Sequence, residues 1–179
     1  MRFIETILKG AYIIELDPVE DERGFFARSY CRDEFRKNGI EMDIVQCNVS
    51  HNRKKGTLRG MHYQEAPYEE AKLISCIKGS MYDVIVDIRK GSPTFGKWTA
   101  VELTAGNGRT LYVPKGFAHG FQTLADDTVV YYHISEAYYP ESSRGIRWDD
   151  PALGITWPAP NPIISVKDRN FSLFDGDKV

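Results

Sequence analysis

Apolar residues fall into short runs of roughly four to eight positions, many with a period of two, and turn-forming residues break the runs repeatedly. Ala11-Tyr12-Ile13-Ile14-Glu15-Leu16 is the first, short and rich in β-branched residues. In Met81-Tyr82-Asp83-Val84-Ile85-Val86-Asp87-Ile88, residues Val84, Val86 and Ile88 share one face and Asp83, Ile85 and Asp87 the other. That alternation predicts a half-buried strand. Leu73-Ile74-Ser75-Cys76-Ile77 precedes it across Lys78-Gly79-Ser80, and two apolar runs around a glycine turn predict a hairpin.

Further strands are predicted over Trp98–Leu103, Thr110–Val113, Gly120–Leu124 and Thr128–Ile134. Between them stand Gly91-Ser92-Pro93, Ala105-Gly106-Asn107-Gly108, Pro114-Lys115-Gly116 and Ala125-Asp126-Asp127, all with turn chemistry. One helix is predicted over Asp33–Asn38, capped by Asp33 and stopped at Asn38-Gly39. Strands at spacings of about ten residues, with almost no helical periodicity, indicate an all-β sandwich or jelly roll with few short helices. The tail from Trp157-Pro158-Ala159-Pro160-Asn161-Pro162 to Lys167-Asp168 reads as a proline-stiffened excursion.

A length of 179 residues fits one domain, 1–179, able to bury a full core. The formal net charge of −2 gives no pull toward nucleic acid or anionic membranes, so neither is expected as a partner. Cys31, Cys47 and Cys76 form no C-x-x-C pair, and an odd count argues against a disulfide framework. The N-terminus lacks an apolar leader, and no run approaches the roughly 18 apolar residues of a membrane span. A cytoplasmic location is the expectation.

The candidate chemistry centres on Thr57-Leu58-Arg59-Gly60-Met61-His62-Tyr63-Gln64, with Lys72 ten residues further on and Tyr132 and Asp168 far downstream. Imidazole titrates near neutrality, so His62 can take a proton from carbon and return it. It does so best with its second nitrogen held by a carboxylate, for which Asp168 is the candidate. An ammonium such as Lys72 beside a substrate oxygen stabilises a developing enolate, and a phenol such as Tyr132 can protonate its opposite face. Each also has an ordinary role open to it: a hydrogen-bonded histidine, a solvated strand-end lysine, a packing aromatic. Arg23, Arg28 and Arg59 offer a phosphate clamp or merely surface charge. A metal-binding double-stranded β-helix usually supplies H-x-H, a Glu and a later His. Here His62-Tyr63-Gln64 puts an amide at the second position, and Pro114-Lys115-Gly116-Phe117-Ala118-His119-Gly120 adds one imidazole. Two imidazoles and an amide are a poor catalytic metal set, so His62 reads as an acid/base and no metal is expected.

Several segments together resemble the dTDP-4-dehydrorhamnose 3,5-epimerase family of cupin-like sugar-nucleotide enzymes. They are Asp21-Glu22-Arg23-Gly24-Phe25-Phe26, Gln46-Cys47-Asn48, Leu58 to Gln64, Ala71-Lys72-Leu73, Asp83 to Ile88, Ser92 to Trp98, Pro114 to Phe121 and Gly145-Ile146-Arg147-Trp148. The order is the same and nearly the whole chain is covered. The resemblance implies a jelly-roll (double-stranded β-helix) homodimer, its N-terminal strands exchanged or packed against the partner and a C-terminal extension, 158–179, closing over the site. It implies epimerisation without a cofactor at C3 and/or C5 of a nucleoside-diphosphate 4-keto-6-deoxy sugar, through an enolate. His62 would be the base oriented by Asp168, Tyr132 the opposing acid and Lys72 the enolate's cation, with His119 lining the sugar pocket. Arg59 and Arg23 would hold the diphosphate, Gln46 and Asn48 would lie near sugar or phosphates, Phe26 and Tyr138 would pack on the nucleotide, and Lys167 would contact ligand. Two positions depart from the pattern: Arg28 and Ser143 stand where the family often has Glu, both in the nucleotide-contacting set. A GDP, CDP or UDP sugar, inversion at one centre only, a metal-dependent cupin and a non-catalytic sugar-nucleotide binding module are the alternatives.

Overall fold

The computed structural model describes residues 1–176. Strands follow the alternation almost throughout: β1 (Arg2–Glu5), β2 (Tyr12–Glu15), β3 (Val19–Asp21), β4 (Gly24–Phe26), then helix α1 (Arg32–Lys37). The chain continues through β5 (Gln46–Asn52), β6 (Thr57–Gln64), β7 (Lys72–Lys78), β8 (Ser80–Asp87), β9 (Trp98–Thr104) and β10 (Arg109–Val113). It ends with β11 (Phe117–Thr123), β12 (Thr128–Ile134), β13 (Ser143–Gly145), β14 (Ile163–Ile164) and the short helix α2 (Val166–Arg169). Two sheets face each other, one ordered β1-β2-β10-β7-β12-β5 and the other β13-β6-β11-β8-β9, with β14 added parallel to β6. This is the expected jelly roll. No described helix is long and apolar enough to cross a membrane.

Three apolar clusters follow from the alternation. Between the sheets lie Ile74, Cys76, Met81, Ile85, Leu111, Phe117, Phe121 and Val130. Outside the first sheet, Phe35 of α1 packs with Ile14, Leu73 and Tyr112. Outside the second, Ile146 and Leu153 cover Met61, Val84, Val86 and Ala118. Strand β8 is therefore buried on both faces, not half-buried as its alternation predicts. The expected hairpin is also corrected, because β7 pairs with β10 and β12 while β8 pairs with β11 and β9. The inner faces of both strands feed the central cluster, so the chain turns a corner at Gly79 and changes sheets. Gly79 has φ +77°, and a Cβ there would stand 2.6 Å from the Thr128 hydroxyl. In α1, Cys31 is the N-cap residue, without a side-chain cap, and Asp33 sits in the first turn instead, where its charge meets the helix dipole.

Asp87, also on the inner face of β8, is fully buried as a charge. It accepts from the Arg89 guanidinium at 2.7 and 2.9 Å and from the Ser92 and Thr94 hydroxyls at 2.6 Å each. Burial raises its carboxyl, but these donors win and bring it down to about 2 from 3.8. A depressed carboxylate stabilises the fold above its unfolded value and loses that contribution as pH falls toward its folded one. The difference is worth about 2 kcal/mol. Asp87→Asn is expected to lose about that much at neutral pH, with the gap to wild type closing below about pH 4. Urea denaturation across that range measures it, and a gap that ignores pH would rule out the charge as its source.

Candidate active site

Strict alternation along β6 would put Arg59 and His62 on opposite faces. They share one because β6 carries an irregularity: His62 pairs with His119 and Arg59 with Phe121, three residues of travel against two. Such a bulge shifts the phase of the strand and re-aims its side chains. Met61 is turned to the outer cluster and both polar residues to the inner face. Gly60 makes this possible, since its φ is +146° and a Cβ would lie 2.5 Å from the Gly120 Cα. No side chain fits where the two backbones pass.

The tail then delivers the carboxylate. Ile163 and Ile164 pair with Thr57 and Leu58, and Ser165 caps α2 by accepting the Asp168 N–H at 3.0 Å. Asp168 lands beneath His62, with Nε2 and Oδ1 at 2.9 Å, while its other oxygen accepts the Gly60 N–H at 3.2 Å. The His62 side chain is 39% exposed and that of Asp168 8%, so the pair has one wet and one dry end. Burial raises the Asp168 carboxyl, but hydrogen bonds from His62, Gly60 and Ser165 outweigh it and hold it below the ordinary aspartate value. An ionised Asp168 accepts a hydrogen bond from Nε2–H, which fixes the tautomer and leaves the lone pair on Nδ1. Phe171 packs edge-on against His62 at 5.7 Å, over Gly145, where any Cβ would strike its ring.

The facing wall comes from the other sheet. Gln46, Asn48, Lys72 and Tyr132 project from β5, β7 and β12 into a cavity of about 340 Å³ that His62, Arg59 and His119 line from the second sheet. That volume is in the range of small-molecule sites. Burial raises the Tyr132 phenol far above its usual value, with the Asp83 charge adding to the effect, so it stays protonated. His119 Nε2–H donates to Asp83 at 2.6 Å; burial lowers the imidazole despite that carboxylate, keeping it neutral. Lys72 pairs with Glu70 at 2.9 Å. Gln64, placed by sequence where a metal cupin has its second ligand, spends its amide on the backbone. It donates to the Tyr68 and Ala137 carbonyls at 2.9 and 3.1 Å and accepts the Tyr139 N–H at 2.7 Å.

Ten of the residues singled out from sequence line this one cavity: Gln46, Asn48, Arg59, His62, Lys72, His119, Tyr132, Tyr138, Ser143 and Lys167, with Asp168 behind His62. Three are elsewhere within the chain. Arg23 pairs with Asp21 on the β3–β4 ribbon, Arg28 pairs with Glu34 at 2.7 Å, and Phe26 is 77% exposed. Sequence reasoning missed Glu70 and Phe171; Glu70 carried a signal, an acidic residue two positions before Lys72. A larger open cleft of about 500 Å³ lies around Trp148, Asn161 and Arg169, but its described lining residues include no imidazole, carboxylate dyad or phenol.

A jelly roll with an acid–base cavity between its sheets is the architecture of the cupin-like isomerases. The chain belongs to the dTDP-4-dehydrorhamnose 3,5-epimerase family, whose sequence model matches residues 5–176. The dTDP-4-dehydrorhamnose 3,5-epimerase of Methanothermobacter thermautotrophicus is 47% identical over 174 residues, 95% of this chain and 92% of that protein. The enzyme of that name from Bacillus anthracis, solved with TDP and PPi bound, superposes with a TM-score of 0.94 at 44% identity, covering 97% of this chain and 99% of that one. The epimerase of Legionella pneumophila in complex with dTDP-4-keto-L-rhamnose gives 0.90 at 41% identity, covering 96% and 92%.

Proposed function

We propose that this chain epimerises C3 and C5 of dTDP-4-dehydro-6-deoxyglucose, giving dTDP-4-dehydrorhamnose, in the cytoplasm. The observation that carries the reading is the placement of the His62–Asp168 pair and Tyr132 on opposite walls of one cavity. The C4 carbonyl of the substrate acidifies the hydrogens at C3 and C5. His62 Nδ1 removes one of them, the electron pair moves onto the C4 oxygen, and the Lys72 ammonium holds the resulting enolate. Tyr132 gives its phenol proton to the same carbon from the opposite face, which inverts the centre. Exchange with solvent then restores imidazole and phenol, and the cycle repeats at the second carbon. The step balances with protons alone, without a redox partner or a metal.

Arg59 and Lys167 are assigned to the diphosphate, Gln46, Asn48 and His119 to the sugar, and Tyr138 and Ser143 to the nucleotide end. Arg23, Phe26 and Arg28 reach such a ligand only from another copy of the chain. The β3–β4 ribbon favours that, since it forms a two-stranded sheet of its own with Val19, Phe25 and Phe26 exposed. We therefore assign the working form to a homodimer whose ribbons complete each other's sites. The test incubates the protein with the dTDP sugar in deuterium oxide and follows it by NMR. Deuterium at both C3 and C5 with inversion is expected, and substantially faster than with the UDP, GDP or CDP analogues. Labelling at one carbon would make it a single-centre epimerase, and no labelling would overturn the reading.

A further inference from the structure

Glu70 is the one carboxylate among the described residues lining the cavity. Its position needs a reason, because the proposed ligand is a dianionic diphosphate and an acidic side chain in its path opposes binding. The reason lies in Lys72. An ammonium on a four-carbon stem is strongly hydrated and flexible, and a buried one needs a counter-charge. The Lys72 and Glu70 side chains are only 9% and 12% exposed, and they meet at 2.9 Å. Between them Ala71 is fixed on both sides: its N–H donates to the Ser135 hydroxyl at 2.8 Å and its carbonyl accepts the Ser135 N–H at 3.0 Å. Both side chains line the cavity, so this pinned backbone holds the two groups in it together.

We propose that Glu70 is a positioning residue for epimerisation: it takes one N–H of the Lys72 ammonium and thereby aims the other two at the substrate's C4 oxygen. The proposal rests on the enolate reading of Lys72. It predicts an effect on turnover, not on capture of the nucleotide, because Glu70 acts where charge develops in the reaction. Misaiming a group by an ångström costs up to about a hundredfold in rate.

Steady-state kinetics, deuterium exchange and dTDP titration on E70Q, E70A, K72A and E70A/K72A test it. E70A is expected to lower kcat about a hundredfold and E70Q, which keeps the shape and an acceptor oxygen, about tenfold, with KM and dTDP affinity unchanged. In the K72A background E70A should cost nothing further, since its partner is gone. Equal fractional losses in both backgrounds, or full activity of E70A beside a slow K72A, would overturn the role of Glu70 alone. Wild-type exchange by K72A would overturn the reading of Lys72 and this proposal with it. Should E70A fail to fold, the near-isosteric E70Q and its K72A double variant carry the same comparison.

Discussion

His62→Ala is expected to abolish solvent deuterium incorporation at both C3 and C5, by about a thousandfold or more, while dTDP binding survives. The separation of the two effects follows from the geometry. His62 is held by Asp168 from behind and Phe171 from the side, and among the described residues its side-chain hydrogen bond goes to Asp168, not to those assigned to the diphosphate. Removing the imidazole opens a half-exposed space without disturbing Arg59, whose guanidinium is braced by the Asn52 side chain at 2.8 Å. NMR of the sugar in deuterium oxide reads the exchange, and calorimetric titration with dTDP reads the binding. Exchange at the wild-type rate would remove His62 as the base. Loss of binding together with exchange would show instead that the substitution had damaged the pocket.

How far the sequence reveals this site depends on the range of the interaction that builds it. Strands β2, β9, β10 and β12 are legible because alternation is local, and so are the residues they project, Tyr132 among them. The chemical types of His62, Lys72 and Asp168 are legible too. Their meeting is not. His62 and Asp168 are 106 residues apart, and what joins them is β14 pairing with β6 and a Ser165 cap, two short features with little periodicity. The phase shift that lets Arg59 and His62 share a face is a backbone property of Gly60, invisible to a period-two count. Gly79 misleads for a related reason: a positive-φ glycine serves a hairpin and a corner between sheets equally well, and only the demand of two buried faces selects the corner. The ribbon carrying Arg23 and Phe26 is a different case, because its function on the proposed reading depends on a second chain.

Two sheets give the cavity two independent walls, and this division is what lets one reaction be taken apart. The proposed base His62 and its carboxylate belong to β6 and α2, while Tyr132 and Lys72, the proposed acid and enolate cation, belong to β12 and β7. A planar enolate between the walls has one face toward each. Inversion then requires proton removal and delivery by different groups, whereas exchange requires only the base.

Tyr132→Phe therefore makes the sharpest separation. It deletes one hydroxyl and keeps the ring that packs against the central cluster and lies edge-on to His119 at 6.3 Å. With the acid gone, the enolate collects its proton back from His62 on the face it left, now exchanged with solvent. The expected product is starting sugar labelled with deuterium but not inverted. Net inversion should fall about a hundredfold to a thousandfold while exchange falls by less than about tenfold. In the wild type, burial and the Asp83 charge hold the phenol protonated well beyond its ordinary range. Alkaline pH up to about 10 should thus leave inversion and exchange in constant ratio, because Tyr132 stays an acid throughout. Equal loss of inversion and exchange in Tyr132→Phe would mean that one group serves both faces, and the two-wall mechanism would fail.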